Sequence, residues 1–195
     1  MNEAYIGLVG VAVGGFIAIA KDLFASLFKQ RKNAEYLAIQ IVCILDEFVD
    51  KCYEIVLDDG TCQGQPAGRH YYDKDHYDEF YMPQVDMPKS IEFPTDVDWK
   101  SIDHKIMYRI LMLPSSIRST NQTIYSSSEY SFDPDNEPVF EARQDGYSKL
   151  GQEAANIAIE LRKTYNLPKR EIEFYNPQIK FEETITKFER KNGNG

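Results

Sequence analysis

The chain has 195 residues, of which 43% are hydrophobic and 13% aromatic, so it can bury a core and is not a disordered chain. Its mean hydropathy of −0.47 excludes a protein with several membrane spans but leaves room for one apolar segment. Its net charge of −9 would repel nucleic-acid phosphates, and we therefore expect no nucleic-acid partner.

The first feature along the chain is an apolar run, residues 4–20, that contains no charged side chain. As a helix it would measure about 25 Å, close to the ~30 Å hydrocarbon core of a bilayer. A cleaved export signal would have basic residues ahead of the run, but only the acidic Glu3 lies there. The basic side chains follow the run: Lys21, Lys29, Arg31 and Lys32. This pattern predicts a single-pass anchor, residues 1–33, in a bacterial inner membrane. The N-terminus would lie outside, the C-terminal domain in the cytoplasm, and the four basic residues at the lipid headgroups.

Three glycines in the run, Gly7, Gly10 and Gly14, predict contact between anchors. Gly10 and Gly14 form a GxxxG pair, which lets two membrane helices approach closely. We therefore expect a homo-oligomer or another protein partner. The alternative is a soluble helical oligomer in which the run is buried in an interface.

Residues 34–57 have apolar side chains at helical spacing and are predicted to continue the anchor as an amphipathic helix. Its outer side carries acidic residues four apart: Asp46, Asp50, Glu54 and Asp58. Such a row is usually a solvated face, although it can also bind a divalent ion or a basic partner.

The chain has three cysteines, Cys43, Cys52 and Cys62, with no CxxC pair. An odd number without such a pair argues against a disulfide framework or a structural zinc site. We expect Cys43 and Cys52 to be small core residues in a reducing compartment.

Residues 58–97 are rich in Tyr, Pro and Gly and are predicted to form a long irregular insertion. A short helix beginning at Asp73 would place Tyr77, Phe80 and Tyr81 on one face. The same stretch holds the densest group of potential metal ligands: His70, Asp73, Asp75, His76, Asp78 and Glu79. Imidazole and carboxylate groups can bind zinc, manganese or iron, so an alternative function is a membrane-anchored metal-dependent hydrolase. The structural interpretation is that these residues form a polar loop packed on the domain and bind no metal.

The rest of the chain predicts three more helices. The first begins near residue 96 or 98 and ends at Leu113, where Pro114 interrupts it, and Ser115 to Tyr125 can form another helical piece. The second is capped by Asn136 and ends near Tyr165, and the third begins at Pro177. The predicted fold class is all-α: an N-terminal transmembrane helix, then a three- to four-helix cytoplasmic bundle with a long irregular loop. The helical domain would cover residues 34–190, and residues 191–195 would be a disordered tail.

Two segments carry a resemblance, "DWKSIDHKIMYRILMLP" and "YSKLGQEAANIAIELRKTYNLP". Together with the single N-terminal span, they resemble a group of small, uncharacterised bacterial and prophage inner-membrane proteins. The resemblance implies a membrane-tethered helical domain, in a setting such as phage defence or superinfection exclusion. It brings no catalytic residues.

The sequence contains no phosphate-binding loop, dinucleotide fingerprint or nucleophile elbow. We therefore favour a protein that is not an enzyme and expect no cofactor. The predicted function is that of a membrane-tethered helical interaction or adaptor protein, with membrane lipid as one partner.

Overall fold

A computed structural model of the chain describes residues 2–73, 75–129, 136–172 and 174–193; for residues 2–20, 70–73 and 192 it describes the backbone alone. Within these residues the fold is mostly helical, with four α-helices and a few short strands. The helices are α1 (Asn2–Leu57), α2 (His104–Glu129), α3 (Glu137–Tyr165) and α4 (Pro177–Gly193). A 3-10 turn, Trp99–Ser101, precedes α2.

The first helix is continuous through 56 residues, about 84 Å, as the sequence predicted for residues 4–57. Its second half is buried along one stripe, and the predicted core positions are confirmed there. Those buried in the structure are Leu37, Ile41, Leu45, Phe48, Cys52, Ile55 and Val56. The helix ends just before Gly60, whose positive φ of 79° turns the chain away.

The central helix is α3, which packs against each of the other three helices. It runs antiparallel to α1, because Arg143 near its start contacts Asp58 and Arg162 near its end contacts Asp46. It also runs antiparallel to α2, where Arg109 pairs with Glu153 and Glu160 of α3. The helices α1 and α2 are therefore parallel to each other and need the long connection between them.

The contact of α3 with α4 depends on a glycine. The ring of Phe181 of α4 lies so close to Gly151 that a Cβ built on this glycine would sit 2.5 Å from the ring. Lys191 of α4 pairs with Glu141, which makes α4 antiparallel to α3 as well. The helix α4 extends to Gly193, beyond the start of the predicted tail at residue 191.

The prediction that α2 ends at Pro114 is wrong. The helix begins at His104 and passes through Pro114 to Glu129. Its buried stripe continues on both sides of the proline, with Ile110 and Leu113 before it and Ile117 after it. Burial of this stripe outweighs the loss of one backbone hydrogen bond at the proline.

The all-α, irregular description of residues 58–97 also needs correction, because this insertion contains two antiparallel hairpins. The first joins β1 (Thr61–Cys62) to β2 (Gln65–Pro66), and the second joins β3 (Gly68–Asp73) to β4 (His76–Phe80). The first turn has positive φ at both Gln63 and Gly64, the geometry that suits a two-residue hairpin loop. The short helix predicted from Asp73 is thus a strand pair, favoured by the tyrosines of "RHYYDKDHYDEFY".

Candidate functional site

The acidic row of α1 binds basic side chains of the same chain, so it is not the solvated face that the spacing favoured. Asp46 accepts hydrogen bonds from both terminal nitrogens of Arg162, in a bidentate pair. Asp50 accepts one from Arg170, and Arg170 also contacts the backbone oxygen of Asp46. The basic partner that the row was able to bind is therefore, in large part, intramolecular.

Between α3 and α4, the described residues 166–172 and 174–176 cross the surface of α1 and are held there by polar contacts. Besides Arg170, the hydroxyl of Tyr175 donates to Asp50 over 2.9 Å, and its ring stacks on Tyr53 with centroids 5.0 Å apart. At the start of the segment, Arg162 Nε donates to the backbone oxygen of Pro168. We call residues 166–176 the strap, because both of its ends and its middle are tied to α1 or α3.

A cavity of about 610 Å³ opens between the strap, α1, α3 and the start of α4. Its walls are largely apolar: Val49, Ala155, Ala158, Ile159, Leu167, Ile172 and Pro177. Its polar lining includes four basic side chains and one acidic one: Arg162, Lys163, Lys169, Arg170 and Asp46. The volume is typical of small-molecule sites, and the cavity is basic in a chain whose net charge is −9.

Asp50 raises the pKa values of two groups at the strap, Arg170 and Tyr175. Burial acts to lower the pKa of Arg170, but its hydrogen bond to Asp50 and the nearby carboxylates raise the pKa above its usual value. The same Asp50 accepts a hydrogen bond from the Tyr175 hydroxyl, and this hydrogen bond raises the pKa of the Tyr175 phenol. Arg170 therefore stays charged and Tyr175 stays protonated across the physiological range.

Sequence reasoning missed this cavity, although a signal was present. The stretch "LRKTYNLPKRE" places two basic pairs on either side of a helix end. The net charge of the whole chain is negative and conceals this local excess of positive charge, which the net charge of a short sequence window shows.

A second polar cluster is buried where the hairpins join the helices. Asp58, whose side chain is 1% exposed, pairs with Arg143 of α3 over 2.9 Å. It also accepts backbone hydrogen bonds from Gly60, Gln84 and Val85. Arg143 donates in turn to the backbone oxygen of Val85. The cluster anchors both ends of the hairpin insertion, and we interpret it as structural.

The part of α1 that precedes the packed domain carries the predicted headgroup ligands. Every residue from 21 to 33 is exposed, including Lys21, Lys29, Arg31 and Lys32. Four apolar side chains lie among them, each at least 60% exposed: Leu23, Phe24, Leu27 and Phe28. At a helical spacing, Leu23 and Leu27 continue the stripe that is buried from Ala34 onward. This apolar stripe is therefore unpartnered in the described structure.

The predicted anchor itself lies in the part of the chain for which the structure describes the backbone alone. Residues 4–20 are helical within α1, and the side-chain surroundings of the predicted contact glycines, Gly7, Gly10 and Gly14, lie outside the described residues. Where side chains are described, no helix contains a window apolar and long enough for a membrane crossing.

The predicted metal ligands lie on the second hairpin. His76, Asp78 and Glu79 are on β4, where consecutive side chains point to opposite faces, so the helical spacings that the prediction assumed do not apply. Glu79 lies 3.5 Å from Arg69 across the hairpin. The described histidine, cysteine and acidic side chains, which include Asp75, form no group of three suited to a metal ion. The side chains of His70 and Asp73 lie outside the described residues, so a metal site that includes them stays a prediction.

The three cysteines differ in burial, and only one of the two expected in the core lies there. Cys52 is buried, and burial raises the pKa of its thiol well above the usual value. Cys43 and Cys62 are exposed, and all three are free thiols. Placing Cys43 in the core was wrong, because its position on α1 faces away from α3.

The chain was compared with family models, with curated proteins and with solved structures, and no match was found in any of the three comparisons. The functional argument therefore depends on the residues described above.

Proposed function

We propose that the chain is a membrane-tethered helical interaction protein of the bacterial inner membrane. The observation that carries the proposal is the exposed amphipathic stretch of α1, residues 21–33, directly after the uncharged run of residues 4–20. Its apolar side chains suit the bilayer interface, and its basic side chains suit anionic headgroups. The positive charge after the run favours a cytoplasmic location for the domain that follows.

The packed domain supports the interaction part of the proposal. Helix α2 exposes Tyr108 on its outer side, and Leu111 and Met112 are exposed one turn further along. Apolar side chains that cluster in this way are typical of surfaces that contact another protein. Tethering restricts such a surface to the membrane plane and raises its effective concentration near membrane-bound partners.

Extraction of membranes with alkaline carbonate tests the tether. We expect the full chain to stay in the membrane pellet, and a variant that lacks residues 2–20 to appear in the supernatant. Release of the full chain by carbonate would reject the integral span and favour the soluble oligomer with a buried N-terminal helix.

Thiol labelling of whole cells tests the orientation. The exposed Cys43 and Cys62 should react with an impermeant maleimide only after the membrane is permeabilised. In a Cys43→Ser, Cys62→Ser background, an Asn2→Cys variant should react in intact cells. Labelling of native Cys62 in intact cells would contradict a cytoplasmic domain.

Self-association through the anchor is tested by the combined changes Gly10→Ile and Gly14→Ile. Bulky side chains at these positions would hold two helices apart, so we expect cross-linked oligomers in membranes to disappear. Isoleucine introduced at Ala12 and Gly15, which helical spacing places on the other side of the helix, serves as the control. Unchanged cross-linking of the glycine variant would show that the anchors do not meet at this face.

The setting of phage defence or superinfection exclusion is part of the proposal, and phage challenge of expressing cells tests it.

A further inference from the structure

The cavity beneath the strap combines an apolar interior with a basic opening. We propose that it is a binding site for an organic anion with an apolar body, such as a fatty acid, an alkyl phosphate or an aromatic carboxylate. This inference concerns the packed domain and does not depend on the membrane tether.

The size and lining of the cavity indicate the size and polarity of the ligand's main part. About 610 Å³ accommodates a ligand of drug or lipid-chain size. The helix α3 contributes Ala155 and Ala158 to the floor of the cavity, and α1 contributes Val49. The strap contributes Leu167 and Ile172 from the other side. An apolar body placed there would cover the exposed Ile159 and the partly exposed Leu167 and Ile172.

The charges at the opening of the cavity indicate which polar group the ligand carries. Arg162 and Arg170 are already paired with Asp46 and Asp50. Lys163 and Lys169 line the same cavity and are exposed, and neither side chain has a hydrogen bond or ion pair among the described residues. Two free ammonium groups beside an apolar cavity would attract a carboxylate or phosphate and disfavour a cation.

The test uses the full chain in nanodiscs of neutral phosphatidylcholine. The probe is dodecanoate with a diazirine at the chain end, and the matched neutral probe is the dodecanol analogue. After photolysis, we expect mass spectrometry to locate dodecanoate adducts on the cavity-lining residues 46–49 and 155–178, at least tenfold above those of the alcohol.

The variant Lys163→Glu with Lys169→Glu should lower these adducts about tenfold or more, since it replaces attraction by repulsion at the opening. Both residues are exposed, so the fold should not be affected, and circular dichroism verifies this. The control, Lys89→Glu with Lys100→Glu, changes the net charge equally at exposed lysines that do not line the cavity and should leave the adducts unchanged.

Competition identifies the source of the ligand. Suppression of the adducts by soluble 2-naphthoate supports a soluble aromatic anion, and suppression by dodecyl phosphate alone supports a lipid. A lack of adducts on the cavity-lining residues 46–49 and 155–178, equal labelling by the alcohol, or no effect of the two glutamates would overturn the proposal.

Discussion

The buried pair of Asp58 and Arg143 should dominate the stability of the domain. Both side chains are at most 3% exposed, so neither charge is solvated if its partner is removed. The two ends of the pair are not equivalent. Asp58 also accepts three backbone hydrogen bonds, of 3.0 Å from Gly60, 2.9 Å from Gln84 and 3.0 Å from Val85.

The change Asp58→Ala leaves three amide groups without their acceptor and leaves the buried guanidinium of Arg143 without a carboxylate, bonded only to the backbone oxygen of Val85. Removing one partner of a buried pair costs about 3–5 kcal/mol, and the orphaned amides place this variant at the upper end, about 5 kcal/mol. The change Arg143→Met leaves the Asp58 carboxylate with its three amide donors, so we expect the lower end, about 3 kcal/mol. Such losses are large against the ~5–15 kcal/mol stability of a typical domain.

Urea unfolding of the full chain in nanodiscs, followed by circular dichroism at 222 nm, measures these differences. The double variant should lose less than the sum of the two single losses, by about 2–3 kcal/mol, because it leaves no unpaired buried charge. Hydrogen exchange gives a local readout: the amides of Gln84 and Val85 should exchange faster in Asp58→Ala and stay protected in Arg143→Met. A loss below 1 kcal/mol for Asp58→Ala, or a greater loss for Arg143→Met, would refute the reasoning.

Two further predictions concern the helices. Gly151→Ala should destabilise the domain by about 1–3 kcal/mol, because the new methyl group would meet the ring of Phe181, although alanine is the better helix former. The control is Gly193→Ala, whose methyl group meets no other atom and which should be neutral in the same urea assay. Asp103 accepts from the first amides of α2, and these hydrogen bonds lower its pKa below the ordinary value of 3.8. Its stabilising effect is therefore present above pH 3.8 and lost as pH falls through the lowered pKa. Asp103→Ala should lower the melting temperature at pH 7, and the difference from the unaltered chain should shrink as pH falls below 3.8; a difference that stays constant on acidification would contradict the charge-dependent cap.

The outcome at each element shows which forces are visible in a sequence. The helices α1, α3 and α4 were predictable because their apolar residues recur at helical spacing and their ends carry Gly60, Asn166 and Pro177. The passage of α2 through Pro114 was not, because local rules assign a break there and only the packing of Ile117 beyond it overrides them.

The hairpins illustrate a different failure. Their strands are short, and β4 is exposed along nearly its whole length, so they lack the alternation that identifies a strand facing a core. What holds the insertion in place is Asp58, which the sequence shows only as the last member of an acidic row on α1. The partner that makes this residue an anchor, Arg143, is 85 residues away, and no local pattern connects the two.

The acidic row also explains why site prediction is harder than fold prediction. Asp46, Asp50 and Asp58 belong to one row with a four-residue repeat in the sequence, yet the first two pair with Arg162 of α3 and Arg170 of the strap, and the third holds the hairpin insertion. Their roles come from the basic residues that α3 and the strap place opposite them. Since α1 is one uninterrupted helix, the half that carries these carboxylates is oriented by whatever holds residues 4–20. A membrane tether would thereby fix the direction in which the cavity faces, so the tether and the ligand site are separate in chemistry but linked by a shared helix.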